Sequence, residues 1–202
     1  MARNVFFSFD YDDVLAVNVV RNSDVVRAEN VRRPFSDRSL YEAAKNTPGA
    51  IKRAIDSALD GTSVTVVVNG PATYRSDWVR YEIAKSFERG NGFIVVDIAG
   101  VGPNPVNTCG PSPLRYMGGV ADEATPPTIK LYEVASTDKW IPFAALPSVN
   151  NSTAKYPLAT IGGQFNFSQR FPRHEQWKAL AVYFESTIEA AAQEVGWPPP
   201  QR

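Results

Sequence analysis

Five consecutive β-branched residues, Val64-Thr65-Val66-Val67-Val68, constrain this chain more than any other feature. A strand with one wet face alternates apolar and polar residues, whereas an unbroken run of this kind belongs to a strand covered on both faces. Asn69-Gly70-Pro71 ends the run. Ser76-Asp77 then opens a stretch with Val79, Ile83 and Phe87 at helical spacing, and Gly90 closes it. A second apolar run, Phe93 to Ile98, follows at once. Strand, helix and strand in this order form a parallel unit with a right-handed crossover.

The same rhythm extends in both directions. Val5 to Phe9 reads as a first strand, stopped by Asp10-Tyr11-Asp12-Asp13, whose acids suit the start of a helix over Val14 to Val20. Val31 to Phe35 reads as a second strand, and Ser39-Leu40-Tyr41-Glu42 as a capping box for a helix running through Ala44. After Pro48-Gly49, residues Ile51, Ile55, Ala58 and Leu59 mark another helix. Gly100 to Pro127 reads as a glycine- and proline-rich loop, Lys130 to Val134 as a fifth strand with Trp140 to Phe143 pairing beside it, and Pro147 to Pro172 as polar and irregular. Trp177, Ala181, Phe184, Ile188, Ala191 and Val195 then repeat at helical spacing, in a helix opened by His174 and ended by Gly196.

The expected class is therefore α/β: a five-stranded, mostly parallel sheet in the order 2-1-3-4-5, with flanking helices and a C-terminal helical extension. Residues 1–142 form the main domain. Residues 143–202, an irregular segment plus a helix over 174–195, pack on the same core through Trp177, Phe184 and Ile188. In such sheets the ligand crevice lies beyond the carboxyl ends of the strands. That rule selects Ser8 to Tyr11, Asp37 to Ser39 and Asn69 to Glu82.

Composition excludes several function classes. With 21 basic and 21 acidic residues the net charge is zero, which disfavours a surface built to track nucleic-acid phosphates. No apolar run approaches the roughly 20 residues of a membrane span, and the start of the chain lacks a signal-peptide pattern, so the expected location is cytoplasmic. One cysteine, Cys109, and one histidine, His174, leave no internal disulfide and no ordinary zinc site. The phosphate loop of P-loop NTPases is absent, and the turn after the first strand has no glycine for a dinucleotide fingerprint. The expected cofactor count is zero. His174 reads as a surface residue rather than part of a triad, and Cys109 lacks a nearby basic partner.

What remains is acidic and aromatic. Trp78 and Glu82 lie four apart, on one helix face beside the Val79/Ile83/Phe87 stripe. The pair could form a pocket wall near a helix N-terminus, but the spacing alone favours a half-buried tryptophan beside a solvated glutamate.

Several segments share a family likeness. Asn4-Val5-Phe6-Phe7-Ser8-Phe9 with its trailing acids resembles the first strand and loop of Toll/interleukin-1 receptor (TIR) domains, and Phe35-Ser36-Asp37 resembles the end of their second strand. Ser63 to Val68 followed by Arg75-Ser76-Asp77-Trp78-Val79-Arg80-Tyr81-Glu82 resembles their third strand and Ser-x-Trp-x-x-x-Glu signature. Val17 to Asn22, Gly61 to Thr65, Trp78 to Ile83 and Gly102-Pro103-Asn104-Pro105 are similar in order and spacing to the bacterial branch represented by the ThsB component of Thoeris antiphage defence. The likeness covers roughly residues 3 to 140.

The resemblance implies a flavodoxin-like TIR fold and an enzyme that breaks the nicotinamide–ribose bond of NAD⁺, the substrate rather than a bound cofactor. It implies Glu82 as the catalytic carboxylate, with Ser8, Phe9, Asp10, Asp37, Lys45, Asn69 and Trp78 lining the substrate site and no metal. It further implies a cyclic ADP-ribose-type signal read by a separate effector protein, a phage-derived trigger, and self-assembly, with no nucleic acid or membrane as partner. A TIR-like adaptor without activity is the rival reading, because fold alone does not establish function. A flavin-binding scaffold ranks below both, since Asp10-Tyr11-Asp12-Asp13 would repel phosphate.

Overall fold

A computed structural model of the chain describes residues 3–23, 47–122, 127–135, 138–150 and 164–198. In chain order the elements begin with β1 (Val5–Phe9), α1 (Val14–Arg21), α2 (Pro48–Leu59), β2 (Val64–Asn69), α3 (Asp77–Arg89) and β3 (Gly92–Asp97). Next come β4 (Met117–Asp122), β5 (Thr128–Val134), β6 (Trp140–Pro142), β7 (Ser148–Asn150) and β8 (Gln164–Asn166). The chain continues with α4 (Phe167–Arg170), β9 (His174–Gln176), α5 (Trp177–Leu180) and α6 (Phe184–Glu194).

A parallel sheet in the order β1-β2-β3-β9 forms the centre. Its alternation explains the continuous β2 run. Val64, Val66 and Val68 join Val5, Phe7, Ile94 and Val96 on one face, against Val17 and Val20 of α1, Leu180 of α5 and Phe184 of α6. Val67, Phe6, Phe93 and Val95 occupy the other face, against Ile55 of α2 and Val79, Ile83 and Phe87 of α3. Both faces are dry, so polar residues on β2 have nowhere to be solvated. Thr65 is buried with a partner: its hydroxyl hydrogen-bonds Ser86 at 2.8 Å. α3 runs between the boundaries read from the sequence. Gly90 adopts φ 79°, the left-handed conformation that ends helices, and its N–H bonds the Phe87 and Ser86 carbonyls.

The sheet departs from the expected order. The segment around Lys130 to Val134 does not extend the parallel sheet. As β5 it pairs antiparallel with β4, β6 and β7 in a second sheet, with β8 on the far side of β4. The pairing of the Trp140 segment beside it holds. The place beyond β3 is taken instead by β9, with Val95 opposite His174 and Asp97 opposite Gln176. His174 therefore lies in a strand and does not open the final helix. Asp97 explains the preference: its carboxylate bonds His174 Nε2 at 2.8 Å and Gln176 Nε2 at 3.0 Å.

Met117-Gly118-Gly119-Val120, inside the stretch read as loop, is strand β4, and Pro147 to Pro172 contains β7, β8 and α4. The final helix is interrupted by a 3-10 turn at Ala181–Tyr183, although Trp177, Phe184 and Ile188 still face the core as expected. The second strand at Val31 to Phe35 and the helix after Ser39 lie outside the described residues.

The second sheet is fastened to α3. Met117, Ile129 and Leu131 share the core with Phe87, which meets Phe167 at 4.7 Å and Phe165 at 5.9 Å between ring centroids. On the same helix Arg80 pairs with Glu133 of β5 at 2.8 Å.

Candidate functional site

Alternation along β1 turns Ser8 to the α3 side of the sheet, in phase with Phe6 and out of phase with Phe7. There it meets Glu82. Ser8 is fully buried and donates its hydroxyl to Glu82 Oε2 at 2.6 Å. Glu82 sits one residue from the buried Ile83, so the helix stripe that packs on the sheet carries the carboxyl inward with it. Asp10 continues the strand end. It caps the 3-10 turn Tyr11–Asp13 by accepting from the Asp12 N–H, and its charge bears on Glu82.

The surroundings change the acid. Burial pushes the Glu82 carboxyl up to about 8, only partly offset by the Ser8 hydroxyl, and the Asp10 charge adds to the rise. A solvated glutamate on a surface stripe, the simpler sequence reading, does not fit this environment. Helical spacing places the residue beside the core stripe, and the lid over it comes from β1, which helical spacing cannot reveal. A strongly perturbed carboxyl at the mouth of a parallel sheet is a mark of functional sites.

The other expected site residues are distributed as follows. Trp78 is half-buried against the core and meets Tyr81 edge-on at 6.3 Å. Phe9 turns to the opposite face of the sheet, against the α1 side of the core. Asn69 is fully buried, and its amide donates to Asp97 Oδ1 and to the Gly110 carbonyl, both at 2.8 Å. Among the described residues its bonds do not reach Glu82. Asp37 and Lys45 lie outside the described residues. Ser8, Asp10 and Glu82 thus come together, and Phe9 and Asn69 stand apart from them.

Two features at the strand ends escape the sequence reading. Asp13 Oδ2 accepts from Thr73 Oγ1 at 3.1 Å, and that hydroxyl accepts from the Gly70 N–H at 2.8 Å, joining the loop after β1 to the loop leading into α3. A side chain on Gly70 would run into the Asp13 carboxylate. Burial raises the Asp13 acid above its usual range. Asp97 is the second feature. It lies at the carboxyl end of β3, where the strand-end rule would have found it had it been carried one strand further. Among the described residues no group of three or more histidine, cysteine, aspartate or glutamate side chains is placed to hold a metal. No described helix is long and apolar enough to cross a membrane.

Comparison with known proteins bears on this site. Residues 6–102, from β1 to just beyond β3, match the family described as "Thoeris protein ThsB, TIR-like domain". This segment is a TIR-like domain related to ThsB. The chain is also 44% identical over 123 residues to a Bacillus cereus (strain MSX-D12) protein named "Putative cyclic ADP-D-ribose synthase ThsB1". That match covers 58% of this chain and 64% of the relative, so it spans under two thirds of the relative's length. The TIR-like domain contains Ser8, Asp10 and Glu82, whereas the antiparallel sheet and β9 lie outside the matched segment.

Proposed function

We propose that this chain cleaves the nicotinamide–ribose bond of NAD⁺ and releases a cyclic ADP-ribose-type product. The observation that carries the proposal is the partly buried Glu82 carboxyl bonded to Ser8 within a TIR-like domain. The name of the Bacillus cereus relative supports the same substrate class.

The chemistry suits a single carboxylate. When the glycosidic bond breaks, its electron pair passes to the pyridinium nitrogen, and nicotinamide leaves neutral. The leaving group needs no proton, so no general acid is required. Positive charge develops instead on the ribose, and an anion held beside it stabilises the transition state. Glu82 serves this role in its carboxylate form, with Ser8 fixing the carboxyl by its hydrogen bond and Asp10 adding negative potential. The cationic substrate itself favours ionisation of Glu82 on binding. A nucleophilic group of the same ADP-ribose unit then attacks the anomeric carbon and loses a proton, giving a cyclic product, nicotinamide and H⁺. Trp78 walls the site from α3, and exclusion of water favours cyclisation over hydrolysis.

In this proposal the product is a diffusible signal for a separate effector, made on a phage-derived trigger and at a site strengthened by self-assembly. Incubating the purified chain with NAD⁺ and analysing products by mass spectrometry tests the core claim. The expected result is nicotinamide in equal amount with a product one water lighter than ADP-ribose, both lost in Glu82→Gln. No nicotinamide above the buffer control, at protein concentrations up to those where the chain self-associates, would leave the adaptor reading in its place.

A further inference from the structure

The antiparallel sheet has a face that the TIR-like site does not use. Met117, Ile129 and Leu131 point into the core, and the intervening residues point outward. The register brings the outward residues together: Gly118 lies opposite Tyr132 and Asn166, Val120 opposite Gln164, and Val134 opposite Trp140. They enclose a cleft of about 500 Å³, lined chiefly by Tyr132, Trp140, Gln164, Phe165, Asn166 and Gln169. None of its lining residues belongs to the Glu82 site.

Three observations point to a ligand. Trp140 is 47% exposed, whereas the chain's other tryptophans are buried or half-buried. Its ring lies over Gly118, where a Cβ would come within 3.3 Å of the ring and 2.6 Å of the Phe165 carbonyl. A flat aromatic platform is thus presented to solvent over a floor cleared of side chains. Second, the Gln164 and Gln169 side chains are exposed and make no hydrogen bond among the described residues. Asn166, by contrast, is occupied: it accepts from the Ser168 N–H and hydroxyl and donates to the Arg115 carbonyl. Third, among the described residues no charged side chain lines the cleft.

From this arrangement we infer a second binding site, for a neutral, planar nitrogen heterocycle of the nucleobase kind, stacked on Trp140 and read by the amides of Gln164 and Gln169. Bases stack on exposed aromatic rings regardless of identity. A glutamine amide offers a donor and an acceptor side by side, the pattern that matches a purine edge. A phosphate would lose hydration with no cation among the described lining residues to compensate. A saccharide presents hydroxyl donors that carboxylates hold best through charge-assisted bonds, and no carboxylate is among the described lining residues.

The test is calorimetric titration of the whole chain with adenosine, with AMP and maltose as parallel arms. Adenosine should bind saturably, AMP more weakly, and maltose not at all. Trp140→Ala should weaken adenosine binding about 10-fold or more, the effect of losing one base–aromatic stack, while Glu82→Gln leaves it unchanged. Should Trp140→Ala melt early, Gln169→Ala at the exposed rim takes its place, with the same expected weakening. The inference is overturned if adenosine does not bind, if binding survives these cleft substitutions, or if it disappears in Glu82→Gln. Trp140-dependent binding of maltose in place of adenosine overturns it too. Because Glu82→Gln is an arm of its own, failure of the NAD⁺ proposal and failure of this one give different results.

Discussion

Glu82→Gln should make the folded chain more stable, and the gain should grow with pH. The folded state holds this carboxyl at about 8 against an unperturbed 4.5. Between those values the folded chain binds the proton more tightly than the unfolded chain does, so stability falls as pH rises through the window. Each unit of the gap is worth about 1.4 kcal/mol. The cost of retaining Glu82 is therefore ~1 kcal/mol at pH 5 and ~3 kcal/mol at pH 7, levelling above about pH 8. Glutamine removes the charge, keeps the size, and still accepts the Ser8 hydrogen bond seen at 2.6 Å. Urea unfolding of parent and variant at pH 5, 6, 7 and 8 reads the difference as a shift in midpoint at constant slope. NAD⁺ cleavage should meanwhile drop on the order of 100-fold, as when other transition-state electrostatic partners are lost. Gain of stability with loss of activity is the signature of a site held in a costly arrangement. A difference that does not change with pH, or a parent more stable than the variant at pH 7, would refute the burial argument.

Further tests reach other parts of the molecule. Under the proposed function, kcat/KM of the parent chain with NAD⁺ should rise with pH and level off above about 8, as expected if the carboxylate form acts; a profile falling over pH 6 to 8 contradicts that role. The Asp97 hydrogen bond raises the His174 imidazole above its usual 6.5, so its contribution to stability is full below 6.5 and fades as pH climbs through the raised value. His174→Gln should lower Tm more at pH 5.5 than at pH 8.5. Arg80→Ala leaves the Glu133 carboxylate, largely shielded from solvent, without its partner and should cost ~2 kcal/mol in urea unfolding, with little further loss once Glu133→Gln is added. Gly92→Ala would press a methyl group onto the Ala191 carbonyl of α6; a loss of ~3 kcal/mol or more is expected, and a variant melting like the parent refutes the tight packing of α6 on β3.

How far the sequence is legible depends on how local the cause is. β2 and α3 are readable because their signals are internal: a β-branched run, a helical stripe, and a glycine that takes a left-handed turn. β4 is not, because Gly118-Gly119 reads as a turn. The reason for those glycines lies on other strands: a Cβ at Gly119 would stand 2.7 Å from both the Ile129 side chain and the Phe165 ring, and one at Gly118 would meet the Phe165 carbonyl and the Trp140 ring. β9 is a three-residue strand of His-Glu-Gln, too short for any period, and its place is set by the edge of β3 and the Asp97 side chain. At the site, the family likeness singles out Glu82 and gives Ser8 only as one of several lining residues, and the altered acidity of Glu82 follows from its burial beside β1. Phe9 illustrates the opposite limit. Strand alternation already separates it from Ser8, and that rule places it on the far face of the sheet.

The position of β9 has a bearing on how the molecule is made. The strand beside β3 is drawn from residues 174–176, and α5 and α6 cover the sheet face formed by Val5, Val64, Val66 and Ile94. During synthesis, β1, β2 and β3 emerge long before these segments exist. The part of that face not covered by α1, and the β3 edge, stay open until the chain has grown past residue 190 or so. A parallel sheet with a partly uncovered face and an open edge is prone to pair with the wrong partner. Ribosome stalling or truncation ahead of His174 should thus give an aggregation-prone chain, even though residues 6–102 are already complete. Residues 174–194 complete the parallel sheet beside the TIR-like domain, so that sheet stays unfinished until they have been translated.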